Sequence, residues 1–459
     1  MNQAIKQNKM AVMPMKKLVF SMSLPLMISL LVQSLYNIVD GIFVAKISED
    51  ALTATSLAYP VQILMVAVSV GTGVGVNALI SQKIGAKQHE QANQAATTGL
   101  VLSIICTLFF MLLGVFGTHY FVGLFTNDPV TGSLCESYLS ICMIFSLGIF
   151  LETLAQRLLQ AVGNTFLSMI SLVVGALTNI VLDPILIFGM FGLPAMGIQG
   201  AAIATVIGQW LGAAVALALN YFKNPEIKFI FHGYRLTKTM LYAIYKVGAP
   251  TILMQAMGSI MLSAINVILM PFSATSVAFF GVYYKLQNFL FMPMNGLGQA
   301  LIPIIGYNYG AKNGERIMKA LKTALPAAVA MALIGTVIFL MIPEQLLLLF
   351  SAGDEMLAIG IPALRIISVS FAFAAVTMII GYSASGLGNG FINMMGAALR
   401  QLIVLLPLAY LFAKYGGVSM IWYAMWIAET AAVVYSVISI KKELHKKVDV
   451  LIAKASSAS

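Results

Sequence analysis

Twelve times along this chain an apolar run appears that is long enough, at about 20 residues, to cross the hydrocarbon core of a bilayer as a helix. The runs cover approximately residues 18–45, 51–80, 96–118, 134–158, 166–189, 196–221, 240–270, 276–305, 320–342, 356–384, 391–413 and 417–440. Composition agrees. Only 9% of the 459 residues are Asp, Glu, Lys or Arg, and 60% are apolar, whereas a soluble chain carries about 25% charged residues. So few charges cannot coat a water-facing surface of this length, and disordered chains are poor in apolar residues. The class is a polytopic membrane protein.

Net charge is +10, and its distribution explains it without nucleic acid. Seven polar segments fall on one side of the predicted spans: the N-terminus, residues 81–95, 159–165, 222–239, 306–319 and 385–390, and the C-terminus. With their flanks they hold 20 of the 26 basic residues, from Lys6 and Lys9 through Lys446, Lys447 and Lys454. The other side has two, Lys46 and Lys414. This asymmetry marks the basic side as cytoplasmic, so both termini are expected there. The tail from Lys441 to Lys454 reads as a topology anchor, with lipid or partner binding as the other reading. The first run starts basic, as a signal peptide does. It is too long, carries Asp40 and lacks a small-residue cleavage site. A retained first helix is expected.

A shift of 225 residues lays the chain on itself. Pro25 falls on Pro250, Tyr59 on Tyr284, Gly71 on Gly296 and Gly73 on Gly298. Gly85-Ala86-Lys87 meets Gly310-Ala311-Lys312, Leu124-Phe125 meets Leu349-Phe350, and Gly163-Asn164 meets Gly388-Asn389. An ungapped register from the first span into the fifth means duplication. Six spans return the chain to its starting side, so the repeats are parallel. The expected fold is an all-α membrane protein of twelve transmembrane helices in two parallel six-helix repeats. Residues 1–221 form an N-lobe, 222–239 a cytoplasmic linker, and 240–459 a C-lobe with its basic tail.

An ionisable group inside a span costs at least ~2.5 kcal/mol on insertion scales, so each one needs a reason. Asp40 lies six residues before Lys46 at the outer end of span 1, and Asp183 six residues before Gly189 in span 5. They share a depth. Asn179 and Asp183 are four apart, hence one turn apart on one face, and Pro184 frees a carbonyl in the preceding turn. Span 6 runs back inward, and Ala201 and Thr205 return to that depth. Asp40, Asn179, Asp183 and Thr205 can therefore converge as oxygen ligands. Such a set suits Na⁺, and a desolvated carboxylate suits H⁺ equally. The competing readings are an interfacial Asp40 touching Lys46 and a helix-breaking Asp183-Pro184.

Other buried charges read as structural. Arg400 and Glu429, near mid-depth in spans 11 and 12, suit a neutralising pair. Arg157, five residues after Glu152, can snorkel. Lys285 and Arg365 have no evident acidic neighbour and could line a cavity. Trp422 and Trp426 share a face near Glu429, where packing is favoured over stacking on a cationic ligand. No phosphate loop, zinc spacing or catalytic histidine constellation occurs, so neither an enzyme nor a cofactor is expected. Cys106, Cys135 and Cys142 form no metal or disulfide pattern.

These features together resemble the multidrug and toxic compound extrusion (MATE) family, most of all its DinF-like bacterial branch. The resemblance covers nearly the whole chain. Its signatures are Pro25, Asp40-Gly41, the stretch Gly71 to Lys87, Asn179 to Pro184, Gly200-Ala201-Ala202 with Thr205, and Pro303 to Lys312. It implies a secondary active antiporter of the bacterial inner membrane that exports amphipathic, often cationic compounds against H⁺ or Na⁺. It also implies a coupling site of Asp40, Asn179, Asp183, Thr205 and the Ala201 carbonyl, and a bend at Pro25 that responds to its occupancy. The expected partners are small-molecule substrates and membrane lipid, with the protein a monomer. One departure stands out: spans 7 and 8 carry no acidic residue, and span 10 only Glu355 at its outer edge. The coupling role then falls on Asp40 and Asp183. The alternatives are a lipid-linked saccharide flippase of the same superfamily, which favours extra spans and a strongly cationic cavity, and a non-transporting membrane scaffold, which leaves both aspartates unexplained.

Overall fold

The computed structural model describes residues 8–126 and 128–456. Lys6 of the basic set lies outside them, as does the side chain of Lys454. Helices appear wherever an apolar run was found, because a chain in lipid must satisfy its backbone within each segment. In chain order they are α1 (Met15–Ala45), α2 (Glu49–Gly85), α3 (His89–Phe116), the bent α4 (Pro129–Ile144 with Leu147–Ala161), α5 (Thr165–Phe188) and α6 (Ile198–Lys223). The second set is α7 (Lys238–Leu269), α8 (Ala274–Gly310), α9 (Gly314–Met341) and the bent α10 (Asp354–Ser368 with Phe371–Gly386). Next, α11 opens as Gly390–Ala398, passes through the π turn Leu399–Ile403 and enters the helix Leu405–Leu444. Gly417, at φ 72° and ψ −172°, interrupts that helix, and residues 418–444 are α12. The fold is twelve transmembrane helices in two six-helix repeats.

Local geometry repeats in the sequence register. Ser48 and Ser273 cap α2 and α8, each accepting a backbone N–H three residues on, from Ala51 and Ser276. Both helices end in a left-handed lysine, Lys87 at φ 60° and Lys312 at φ 57°. The bends of α4 and α10 measure 47° and 50°. At the start of α4, Asp128 accepts the Thr131 N–H at 2.8 Å. The Thr131 hydroxyl, and after it that backbone bond, hold its carboxyl below the usual carboxylate range.

Packing divides the chain into two compact units that do not coincide with the two repeats. Unit 1 is Met1–Met27 with Leu253–Ser459, and unit 2 is Ile28–Ile252. The two boundaries are themselves 225 residues apart, and each falls inside the first helix of a repeat, just past Pro25 or Pro250. In unit 1, Met10, Leu18, Met22 and Leu26 are buried among Phe280, Met294, Leu301 and Ile305. Arg316 reinforces the attachment, donating from Nη2 to the carbonyls of Met10 (3.0 Å) and Met13 (2.8 Å). In unit 2 the polar connection 222–239 is fastened along α3. The Lys228 N–H donates to Asn93 Oδ1 at 2.8 Å, Ile230 N–H to Thr97 Oγ1 at 2.9 Å, and Tyr234 Oη to Thr98 Oγ1 at 3.1 Å.

Candidate functional site: an oxygen cluster in unit 2

Small residues let α5 and α6 meet backbone to backbone. A Cβ on Gly208 would lie 2.8 Å from the Gly175 carbonyl oxygen, and one on Gly200 would lie 2.6 Å from the Leu186 carbonyl. That approach sets the side chains one turn away against each other. Asn179 Nδ2 donates to Asp183 Oδ1 and to Thr205 Oγ1, each at 3.3 Å. Asp183 is fully buried and Asn179 nearly so. Pro184 stands inside α5 and cannot donate to the carbonyl one turn back. From α1, the Asp40 carboxyl comes within hydrogen-bonding reach of the Asp183 carboxyl. Ala201, one turn before Thr205 on α6, is fully buried.

The cluster is rich in acceptors and short of donors. Asn179 spends its amide on two oxygens, so its own Oδ1 is left over. Asp40 Oδ1, Asn179 Oδ1 and Asp183 Oδ2 are all buried without a hydrogen-bond partner. Each such atom costs about 1–3 kcal/mol, and two carboxylates at this range repel unless a proton or a cation lies between them. A hard cation takes oxygen ligands of this kind. These residues therefore fit Na⁺ or H⁺ as a transported ion. Among the described residues there is no group of three or more His, Cys, Asp or Glu that could hold a metal.

Sequence reasoning missed the neighbours of this cluster. Tyr36, one turn before Asp40 on α1, lies within electrostatic reach of Asp40, Asp183 and Glu152. Its four-residue spacing from Asp40 was a readable signal. Glu152 of α4 accepts from Gln156 Nε2 at 3.1 Å. It rests against a second glycine gap, where a Cβ on Gly212 would lie 2.5 Å from its Oε1. Its carboxylate thus faces α5 and α6. Arg157 does not snorkel: it is 7% exposed, and its Nη1 donates to Gln160 Oε1 at 2.8 Å. Gln62 Nε2 donates to Tyr138 Oη at 3.1 Å across 76 residues, a pairing no local pattern announces.

In unit 1 the expected ion pair is present, with Arg400 Nη2 3.0 Å from Glu429 Oε1. Lys285 and Arg365 are both exposed, and neither lines the pocket beside that pair. Trp422 is buried edge-on against Phe279, with ring centroids 5.2 Å apart, a packing role. Pro25 lies within α1, which runs through it as one element.

Comparison with known proteins adds the lineage. The chain is 24% identical to the multidrug export protein MepA of Staphylococcus haemolyticus over 417 residues, 90% of each chain. It is equally similar to MepA of Staphylococcus aureus strain MRSA252, over 422 residues and 91% of each. Among solved structures, an outward-facing multidrug resistance MATE family transporter superposes with a TM-score of 0.90 at 24% identity, covering 98% of this chain and 100% of that one. A MOP superfamily transporter from Pyrococcus furiosus, described as having a binding pocket of reversed polarity, gives 0.89 at 24%, covering 97% and 99%. The MatE family profile matches twice, over residues 25–185 and 250–411, once on each repeat. The chain belongs to the MatE family, the multidrug and toxic compound extrusion transporters.

Proposed function

We propose that this protein is a secondary active antiporter that exports amphipathic, often cationic compounds in exchange for H⁺ or Na⁺ taken up at Asp40, Asn179, Asp183 and Thr205. One observation carries the reading: in unit 2 an oxygen each of Asp40, Asn179 and Asp183 is buried with no hydrogen-bond partner. A site of that kind binds a cation and is destabilised when empty. The Ala201 carbonyl completes the set from α6. Pro25 supplies the compliance by which α1 answers occupancy, since a proline leaves its helix short of one hydrogen bond. The MepA relatives, named as multidrug exporters, support the substrate class.

In this reading residues 1–221 and 240–459 act as the N-lobe and C-lobe, joined by the linker 222–239. The protein works as a monomer in the bacterial inner membrane with both termini cytoplasmic. A cation entering from outside screens Asp40 and Asp183 and weakens their hold on a cationic substrate, which leaves. The ion is then released inward, where it is scarcer. One charge crossing ~100 mV supplies ~2.3 kcal/mol, enough for a gradient of ~50-fold. An acidic cluster opposes the saccharide-flippase reading, which calls for a cationic cavity. The test is flux in proteoliposomes with Na⁺ and pH gradients imposed separately. Substrate movement that follows neither gradient would end the antiport reading.

A further inference from the structure

Glu152 is a carboxylate inside a span of unit 2 that takes no part in the oxygen cluster. It stands on the second half of α4, and its Oε1 accepts from Gln156 one turn on. A glutamine at 152 could hold Gln156 as well, without the cost of an ionisable group inside a span. The charge therefore calls for another use.

The seam between α5 and α6 fixes where that charge lies. At one end stands Asn179, whose Oδ1 is buried without a partner, and a Cβ on Gly208 would lie 3.3 Å from the Asn179 Cβ. Gly208 meets Gly175, and a Cβ on Gly175 would lie 3.4 Å from Glu152 Oε1. On α6 the same oxygen faces Gly212 at 2.5 Å from the Cβ it would add. Gly175, Gly208 and Gly212 raise no side chains over the seam, so a bare groove runs from Asn179 to Glu152.

Depth orders the polar groups along it. Gly175 precedes Asp183 by eight residues and Gly212 follows Thr205 by seven. At 1.5 Å per residue, Glu152 sits about 10–12 Å from the cluster, toward the end where α5 starts and α6 finishes. Tyr36 precedes Asp40 by four residues, about 6 Å in the same direction, and lies within electrostatic reach of Asp40, Asp183 and Glu152. Three helices thus give one order: the aspartates, the Tyr36 hydroxyl, Glu152. In the orientation of the antiport reading it runs inward. The other neighbours of this half of α4 are α2 and α3, which meet it with Gly73 against Thr153 and Arg157 and with Gly99 against Leu154. Arg157, the next charge along α4, is turned to Gly73 and Gln160.

A hard metal cation takes a shell of oxygens. The side chains here supply one carboxylate and one phenol, which fall short of a shell and suffice for a proton. We propose that Glu152 is the inward station of the transported proton, an assignment that rests on the antiport reading and names H⁺ as its ion. A proton shared by Asp40 and Asp183 passes to the Tyr36 oxygen as Tyr36 gives its own hydrogen toward Glu152, with water over the bare groove completing the line. The aspartates regain their charge, Tyr36 stays neutral, and Glu152 is neutralised until it loses the proton to water on the inner side. Tyr36 and Glu152 are both half-buried, so neither is sealed off.

The full chain in proteoliposomes, with the amphipathic cation ethidium as probe, tests this by two assays. One is uptake driven by an imposed pH gradient; the other is exchange of ethidium for ethidium at equal pH, which needs no net passage of protons. Glu152→Gln should lower the ratio of driven uptake to exchange at least tenfold, and Glu152→Asp should restore part of it. Tyr36→Phe should lower it several-fold. A Glu152 that only supports the fold or holds substrate would move both assays together and leave the ratio where it was. An unchanged ratio in Glu152→Gln, or in Tyr36→Phe where the first variant does not fold, overturns the assignment. So does wild-type uptake that follows Na⁺ and ignores pH. In each of those cases wild-type transport is still gradient-driven and the antiport reading stands, whereas wild-type uptake that follows neither gradient ends both.

Discussion

Gly296 of α8 lies against Met27 of α1 with no room for a side chain between them: a Cβ on Gly296 would sit 2.7 Å from the Met27 backbone nitrogen and 2.8 Å from its Cα. One repeat earlier the same relation holds in unit 2, where a Cβ on Gly71 would collide with Ile252 and lie 2.8 Å from the Gly248 carbonyl oxygen. Residues 27 and 252 are 225 apart, as are 71 and 296. Each repeat therefore offers a bare glycine to the first helix of the other.

Gly296→Ala should consequently destabilise the protein by about 1–3 kcal/mol, the cost of overpacking against a backbone that cannot swing aside. Gly281→Ala on the same helix is the control. Nothing lies within 4 Å of the Cβ it would add, and alanine gains about 1 kcal/mol of helix propensity. Thermal unfolding in detergent should show a lowered midpoint for the first variant and an unchanged or raised one for the second. Equal midpoints would mean that α1 yields at Met27.

Asp183→Asn should abolish gradient-driven export at near-normal abundance, because the amide keeps the size of the side chain and loses its charge. Asp40→Asn should do the same. Lys46→Ala discriminates: a surface pair with Asp40 contributes only ~0–1 kcal/mol, so efflux should be unaffected. Should Lys46→Ala reproduce the Asp40→Asn defect, Asp40 belongs to a salt bridge and α1 leaves the mechanism.

Glu429→Gln leaves Arg400 buried opposite a neutral partner and should cost about 3–5 kcal/mol. The double variant Arg400→Gln with Glu429→Gln removes both charges and should recover most of that loss. A double-mutant cycle read by thermal unfolding would show this as strong non-additivity. Additive losses would mean that the two residues are stabilised independently, despite their 3.0 Å contact.

The spans, the repeat and the Asn179–Asp183–Thr205 convergence were legible because each rests on a period: the thickness of the bilayer, the 225-residue register, and the four-residue turn of a helix. Asp40 was placed by depth, which is a coarser form of the same reasoning. The position of Glu152 against α5 and α6 was not legible because its surroundings come from Gly175 and Gly212 on other helices, and a glycine gap carries no mark of what will fill it. Arg157 was expected at the membrane surface, whereas Gln160 gives it a partner inside. The π turn at Leu399–Ile403 was invisible because one extra residue in an apolar helix leaves the hydrophobic pattern intact. The pairing of Gln62 with Tyr138 spans 76 residues and depends wholly on the packing of α2 against α4.

The displaced packing boundaries make the two repeats interlocked rather than side by side. A cut through residues 222–239 leaves both fragments incomplete. The second loses Met10, Leu18 and Met22 from its own core. The first loses Ile244, Gly248 and Ile252, which fill the faces of Gly71 and Gly75. Expressed singly, each six-helix fragment should be degraded; expressed together, they should reassemble by exchanging the leading halves of their first helices and restore efflux. The same reciprocity bears on origin. A single-repeat ancestor with this register would trade the leading half of its first helix with a second copy of itself, and fusion of two such copies would make a domain-swapped homodimer permanent.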